Sequence, residues 1–392
     1  MTRAVRRVMI SAGEASGDRL GAGLATALRR QDPSIDLVGM GGPQMRAAGV
    51  RLVQDSSEVS VVGISEVLSR LPQIRRAMGR LERVLEEQRP DLLVPIDFPD
   101  FNLRLADRAG RSNVGVVYFV SPQVWAWRPR RVHRIRRLVR EMLVLFDFER
   151  AFYRDADVPV TWVGHPLADA PTAVPDLVEL RRRIGLQPES TVVALLPGSR
   201  AGEIDRHLPV LLRTAERLRR RRPALEFLVP LAPSAPESAV RDAIRDSALE
   251  RIHVHAGDFP DVLHACAAGA VASGTASLDA ATVGLPMVVI YRMNPISHWI
   301  GKRLIQVDHI AMPNLIAGRR VVPELLQDEC NPTRIAAELE RYLADEAHAE
   351  SVRTALRAVL RKLGDPGVFM RAAERVQAHL VAQTSAPESS DP

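Results

Sequence analysis

The chain of 392 residues has only two cysteines, Cys266 and Cys330. They show no CxxC spacing, which excludes a zinc ribbon and a disulfide framework and fits a reducing compartment. Aromatic residues make up 4%, too few for the stacking platforms that hold single-stranded nucleic acid. No stretch approaches the roughly 20 apolar residues that cross a bilayer. The start, MTRAVRRVMISAGE, is basic and then briefly apolar. The apolar run is too short for a signal peptide and enters a glycine-containing loop directly, so it reads as a first strand. Any contact with a membrane is expected from the side. His207, His253, His255 and His264 lack ligand spacing, so no metal is expected.

What is present is a soluble globular composition, 46% hydrophobic and 26% charged, long enough for two domains. The net charge of +6 is unevenly spread. Arg128–Arg140 reads RPRRVHRIRRLVR, which suits phosphate, anionic lipid or nucleic acid, or else a solvated helix face. No RNA-binding motif accompanies it.

Short apolar runs alternate with helical patterns, the mark of an α/β fold with parallel sheets. In the first half the runs are Arg7–Ser11, Asp36–Met40, Leu92–Ile96, Val114–Val120, Met142–Leu145 and Val160–Val163, with helical spacing at Asp18–Arg30 and Gln73–Gln88. Prolines near Ala170–Pro175 suggest a linker. The pattern restarts with strands at Val192–Leu196, Leu225–Pro230, Ile252–His255, Ala270–Ser273 and Met287–Tyr291. Helices fit Ile204–Arg221, Phe259–Ala267 and Ser277–Val283. The expected organisation is a domain over 1–170, a second over 171–365, a C-terminal helix over 366–383 and a disordered tail over 384–392. Two Rossmann-like βα domains would face each other across a cleft, with ligands beyond the carboxyl ends of the strands.

Five loops at those strand ends carry the candidate chemistry. In SAGEASGD, Gly13 and Gly17 permit a tight turn, Ser16 or Asp18 can cap the following helix, and Glu14 is placed to face the cleft. In IDFPDFN, Asp97 and Asp100 emerge where one could act as a general base; Asp100 or Asn102 could instead cap a helix. In SPQVWAWR, Ser121, Gln123 and Trp125 adjoin Trp127 and the arginine run, a pairing of aromatic faces with phosphate-binding forks. In LPGSR, Gly198 and Ser199 offer amides at a helix start and Arg200 a cationic fork, the best diphosphate candidate. In SGTASLD, Ser273, Gly274, Thr275 and Ala276 repeat the anion pattern. There Asp279 could accept from ribose hydroxyls or simply favour the helix dipole. Arg292 ends another strand, and Asn314 could hydrogen-bond the donor. The stretch Val59–Arg76 mixes apolar residues with arginines. Val62, Val67, Leu68, Leu71, Ile74 and Arg75 read either as an amphipathic membrane patch or as a core helix.

Together these segments resemble the lipid-A-disaccharide synthase family, inverting transferases of the GT-B type. The resemblance is carried by GEASGD, GGPQM, VVGISEVL, IDFPDFN, SPQVWAWR, VGHPLAD, LPGSR, SGTASLD, YRM and MPNLIAG, in family order from about Met9 to Cys330. It implies transfer of 2,3-diacylglucosamine from UDP to 2,3-diacylglucosamine 1-phosphate, giving a β-1,6-linked disaccharide 1-phosphate and UDP, with no cofactor. It also implies that Arg200 and Asn314 belong to the UDP-sugar side, and Glu14 and Glu66 to the cleft or acceptor side, where Ser16, Asp18, Asp100, Ser121, Gln123 and Trp125 are expected as well. One departure is Asp279, where the family often has Glu. The implied setting is the cytoplasmic face of the inner membrane, with peripheral attachment, no nucleic-acid partner and scope for a homodimer. Rival readings are an epimerase or peptidoglycan-type transferase on the same fold, and a non-catalytic nucleotide- or lipid-binding protein.

Overall fold

The computed structural model describes residues 5–59, 64–127, 129–169, 175–232, 235–247, 249–257, 261–293 and 308–384, excluding the side chains of 64–70, 127, 383 and 384. It divides into two compact units, Met1–Asp169 with Leu363–Pro392, and Ala170–Lys362.

Unit one is built on β1 (Arg7–Ala12), β2 (Asp36–Gly41), β3 (Arg51–Asp55), β4 (Leu92–Ile96), β5 (Gly115–Phe119), β6 (Glu141–Val144) and β7 (Val160–Trp162), in the order β3-β2-β1-β4-β5-β6-β7. Unit two holds β8 (Val192–Leu196), β9 (Glu226–Leu231), β10 (Ile252–Ala256), β11 (Ala268–Ala272), β12 (Met287–Tyr291) and β13 (Glu324–Leu326), in the order β10-β9-β8-β11-β12-β13. All the pairings are parallel. Both orders reverse once, between β1 and β4 and between β8 and β11, the places where such sheets open for ligands.

Helices cover both faces of a parallel sheet, so its strands are apolar throughout rather than alternating. In unit one, Val8, Ile10 and Ala12 of β1 join one core with Val94, Ile96 and Phe119. Met9 joins the opposite core with Leu93, Tyr118 and Met142. The LLVPI, GVVYF, VVALL and AGAVA strands are buried at every position. Pro95 sits inside central β4 with no N–H to give. The β4–β5 register accordingly passes from Leu93↔Val116 to Ile96↔Phe119 without a partner for Val94 or Pro95.

The strands absent from the sequence reading, β3 and β13, are sheet edges whose RLVQD and ELL segments are only partly buried. Such strands lack the continuous apolar signal. The segment expected as a helix over Phe259–Ala267 is described only from 261 on, as a 3-10 turn, Asp261–Ala265. The helix expected from Gln73 begins at Ile64 and runs to Arg83. It widens into a π turn over Val84–Gln88 and stops at Arg89, which takes φ 40° just before Pro90. Among the described residues no helix is long and apolar enough to cross a membrane.

The last helix, Val368–Thr384, returns to unit one and packs on the helix Ala15–Gln31. Val368, Ala372, Ala373, Val376 and Leu380 fill that core. Glu141, buried in β6, anchors it. Its carboxylate accepts from Arg375 at 3.1 Å, from Thr161 at 2.6 Å, and binds His379 at 2.8 Å. Burial works against the charge, but the His379, Thr161 and Arg375 hydrogen bonds prevail and hold its pKa below the usual 4.5. Its contribution is therefore present above pH 4.5 and fades as pH falls through the lowered folded value. Replacing Glu141 by Ala is predicted to cost about 2–3 kcal/mol at pH 7. Hydrogen exchange should localise the added exposure to 368–384, and the cost should shrink toward pH 3.

Candidate functional site

In unit one, β4 ends in a strained turn. Asp97 and Phe98 are consecutive non-glycine residues at φ 42° and 50°, each costing about 1–2 kcal/mol relative to an ordinary backbone. Asn102, fully buried, pins the turn. Its Nδ2 donates to the carbonyls of Ser11 (3.2 Å), Ile96 (3.1 Å) and Asp97 (2.8 Å), and its Oδ1 accepts from the Ser11 hydroxyl at 2.7 Å. The Tyr118 hydroxyl donates to the Asp97 carbonyl at 2.6 Å. With its backbone fixed on three sides, Asp97 stands half-buried at the carboxyl edge of the sheet. The SAGE loop passes so close that a Cβ on Gly13 would lie 2.2 Å from the Phe98 ring. Only glycine fits there.

The other predicted residues of this unit divide sharply. Glu14 and Ser16 are exposed at the start of the helix Ala15–Gln31. Asp18 is buried, and its carboxylate accepts from the backbone of Gly42 (2.7 Å), Gln44 (3.0 Å) and Met45 (3.0 Å). It thus caps the short helix Pro43–Ala47, and its polar atoms serve the fold. Asp100 is exposed and pairs with Arg131 at 2.6 Å. Gln123 is exposed. Val62 and the side chains of Glu66, Val67 and Leu68 lie outside the described residues. Leu71 is half-buried, Arg75 is exposed, and Ile74 packs against the core.

Ser121 and Trp125 meet at a residue that sequence reasoning missed. Glu149 is buried, accepts from the Trp125 indole at 3.1 Å and from the Phe146 amide at 3.1 Å, and is hydrogen-bonded by Ser121. Ser121 also shares a 2.7 Å hydrogen bond with Tyr153. Around them stands an aromatic wall. Trp125 meets Phe148 edge-on at 5.0 Å, Phe148 stacks on Phe146 at 5.5 Å, and Phe146 stacks on His165 at 5.1 Å. Phe146, Phe148 and Trp125 are half-buried, so part of the wall remains accessible. Burial, helped by the Arg19 charge, pushes the His165 pKa down to about 4 and keeps the ring neutral. The available sequence signal was the pair of phenylalanines in FDFE, directly after β6.

In unit two, the loop after β8 turns at Gly198, φ 116°, before the helix Ala201–Arg221. The amides of Ser199 and Arg200 point at the Glu203 carboxylate, at 3.2 and 3.4 Å. Glu203 thus engages both loop amides, through two long bonds. The Arg200 guanidinium is more than half exposed and 3.8 Å from Glu203. After β11, Ser273 donates its hydroxyl to the Ile310 carbonyl at 2.9 Å, and Gly274 takes φ 145°. Thr275 is exposed; Ala276 and Asp279 are half-buried on the first turns of the helix Thr275–Thr282. Arg292 is half-buried just past β12.

Asn314 is turned inward. Its Nδ2 donates to the Val322 carbonyl (2.9 Å) and to Glu324 (2.7 Å), and its Oδ1 accepts from Val321 (2.7 Å) and Val322 (3.0 Å). All four amide positions are taken. Glu324 also accepts from the amides of Ile310 and Ala311. The pair therefore shapes the backbone beside Ser273 rather than offering free polar atoms. His207, passed over in the sequence, is fully buried with both ring nitrogens engaged, on Pro197 and Arg292. Among the described residues no group of three His, Cys, Asp or Glu side chains could hold a metal.

Residues 8–373 match the family model described as Lipid-A-disaccharide synthetase. The lipid-A-disaccharide synthase of Geobacter metallireducens is 49% identical over 368 residues, covering 94% of this chain and 96% of its own. That of Geobacter sulfurreducens is 48% identical over 367 residues, covering 94% and 95%. The fold is of the GT-B type. The calicheamicin glycosyltransferase CalG4 superposes with a TM-score of 0.59 at 17% identity, covering 98% of this chain and 100% of that one.

The buried Glu149 yields a test of the wall. Burial pushes its pKa from 4.5 up to about 7 against the hydrogen bonds from Phe146, Ser121 and Trp125. The unfolded chain loses this proton above pH 4.5, whereas the folded chain keeps it to about 7. The group therefore favours the fold most at low pH, and that stability is lost as pH rises through 7. Glu149→Gln removes the dependence. Its melting temperature relative to the parent is predicted to rise from pH 5 to pH 8, a change on the order of 2–3 kcal/mol. A pH-independent difference would contradict the assignment.

Proposed function

The chain belongs to the lipid-A-disaccharide synthase family, and from that premise we propose how its residues divide the work. The family is a glycosyltransferase family of lipid A biosynthesis, and its donor is a UDP-sugar. The reaction moves 2,3-diacylglucosamine from UDP to the 6-hydroxyl of 2,3-diacylglucosamine 1-phosphate, with inversion at the anomeric carbon. Identity near one half across 94% of the chain is the observation that carries this reading.

An inverting transfer in one displacement needs a base on the attacking hydroxyl and charge stabilisation on the departing diphosphate. Asp97 is the base. Its strained, pinned backbone is the kind of feature that persists where function requires it. Arg200, with the amides of Ser199 and of the Gly274–Ala276 turn, takes up the diphosphate charge, and a bound phosphate replaces the Glu203 carboxylate on the loop. Thr275 and Asp279 lie on the nucleotide side, and Arg292 adds a second cation. Asn314 acts through the backbone it shapes, and Asp18 likewise. Glu14, Ser16, Glu66, Asp100, Ser121, Gln123 and Trp125 belong to the acceptor side, where the aromatic wall offers apolar faces to an acylated sugar.

Incubation with both diacyl sugars should release UDP and disaccharide in equal amounts. Asp97→Asn is predicted to lower kcat at least ~100-fold, the usual range for a general base, while leaving UDP affinity unchanged. Near-normal turnover would remove Asp97 from the mechanism.

Both substrates carry acyl chains, so we place the enzyme on the cytoplasmic face of the inner membrane. The segment around the helix Ile64–Arg83 would touch anionic lipid there. Leu71 and Arg75 fit that role, whereas Ile74 supports the core. A variant with Val67, Leu68 and Leu71 all changed to Ser should fail to float with anionic vesicles while still binding UDP. Unchanged flotation would move the contact elsewhere.

A further inference from the structure

His207 lies two turns into the helix Ala201–Arg221, among the buried Ile204, Leu208 and Leu211. A leucine would fill that site without the cost of taking an imidazole out of water. The imidazole instead makes two bonds to backbone from two different strand ends. Its Nδ1 lies 2.8 Å from the Pro197 carbonyl, and its Nε2 lies 2.8 Å from the Arg292 amide nitrogen. A carbonyl can only accept and an amide N–H can only donate. The ring is therefore the neutral tautomer with its proton on Nδ1. A second proton on Nε2 would face the Arg292 N–H head-on. Burial, the first of the influences on this ring, lowers its pKa and keeps it neutral.

The place of these two contacts matters more than their number. Pro197 immediately precedes Gly198 and Ser199, whose loop follows β8. Arg292 follows β12. In the sheet β8 and β12 are not neighbours, because β11 lies between them. The imidazole thus spans the strand that carries Ser273 and Gly274 and ties together the loops on either side of it. Arg206, one residue earlier, donates from Nε to the Arg292 carbonyl at 3.2 Å. The residue Arg292 is thereby held at both its N–H and its C=O from one helix.

We propose that His207 is a positioning residue for the donor site, a single side chain that locks the loops after β8 and β12 in mutual register so that their backbone and cations meet one diphosphate. This rests on the reading above that those loops hold UDP. Preorganised amides bind an anion without the cost of ordering the loop at the moment of binding. Loss of the tie should therefore appear as weaker UDP binding, with the acceptor side untouched.

The test is calorimetric titration of UDP into the full chain, with steady-state KM values for both substrates. His207→Leu keeps the volume and removes both bonds. It is expected to weaken UDP binding roughly tenfold or more and to raise the donor KM in parallel, with the acceptor KM within about twofold of the parent. His207→Asn can keep the Pro197 bond and His207→Gln the Arg292 bond, so both should fall between the parent and Leu. A merely space-filling residue would give a different ranking, because the apolar Leu would then bind UDP best of the three. UDP affinity of His207→Leu within about twofold of the parent overturns the proposal. If that variant does not fold, parent-like affinity in both Asn and Gln variants overturns it equally. Arg200→Ala separates this inference from its premise. Should Arg200→Ala bind UDP as the parent does, the donor-site reading fails; should it lose UDP while His207→Leu does not, only the tie fails.

Discussion

A parallel sheet covered on both faces has nowhere to put polar chemistry except its ends. In both sheets the central strands are buried at every residue, so a charged side chain within them would meet only hydrocarbon. Several polar residues stand just beyond a carboxyl strand end: Asp97 after β4, Ser121 after β5, Arg200 after β8, Ser273 after β11 and Arg292 after β12. Helix N-termini begin at the same edges and favour anions there. Because that edge can hold many kinds of chemistry, 17% identity suffices for a common fold with CalG4 but says nothing of the substrate.

Loops at a strand end are soft unless something stiffens them, and each unit does so with buried polar side chains. Asn102 gathers the ends of β1 and β4, and Tyr118 adds a bond from β5. In unit two His207 gathers the ends of β8 and β12, while Asn314 and Glu324 shape the segment that receives the Ser273 hydroxyl. Each is nearly saturated with partners, which is the condition under which a buried polar group stiffens a structure instead of weakening it. Asp97 can persist at φ 42° because its surroundings over-determine the turn.

This explains what the sequence could and could not tell. Strand positions, the two βα series and the glycine turns were legible because each follows from a local pattern. Strands β3 and β13 were not: RLVQD has only two adjacent apolar residues and ELL is only three residues long, whereas the other half-exposed edges, β7 and β10, were found. The loops holding Asp97, Arg200 and Gly274 were legible as loops. The direction in which a polar atom points was not, because direction depends on distant partners. Asp18 and Asn314 read as ligand-facing, yet their bonds run inward to Gly42, Met45, Val322 and Glu324. Glu149 drew no reading at all and His207 fell inside a predicted helix, and both prove to be buried hubs. In each case the deciding contact spans elements that no local window joins.

The scarcity of aromatic residues carries its own argument. With 9 Phe, 4 Trp and 4 Tyr in 392 residues, rings scattered at random would seldom touch in a chain of four. Trp125, Phe148, Phe146 and His165 do touch in that order, beyond the carboxyl ends of β5, β6 and β7. A core that only needed volume could use leucine, whereas Trp125, Phe146 and Phe148 are only half-buried. Rings offer flat, rigid, polarisable faces, and these lie along the sheet edge that also carries Asp97. An acylated sugar has an apolar ring face, apolar chains and a nucleophilic hydroxyl. On the reading proposed above, a wall of rings on the sheet edge that also carries Asp97 would suit all three, and the bond from the Trp125 indole to the buried Glu149 ties one ring of that wall to the fold.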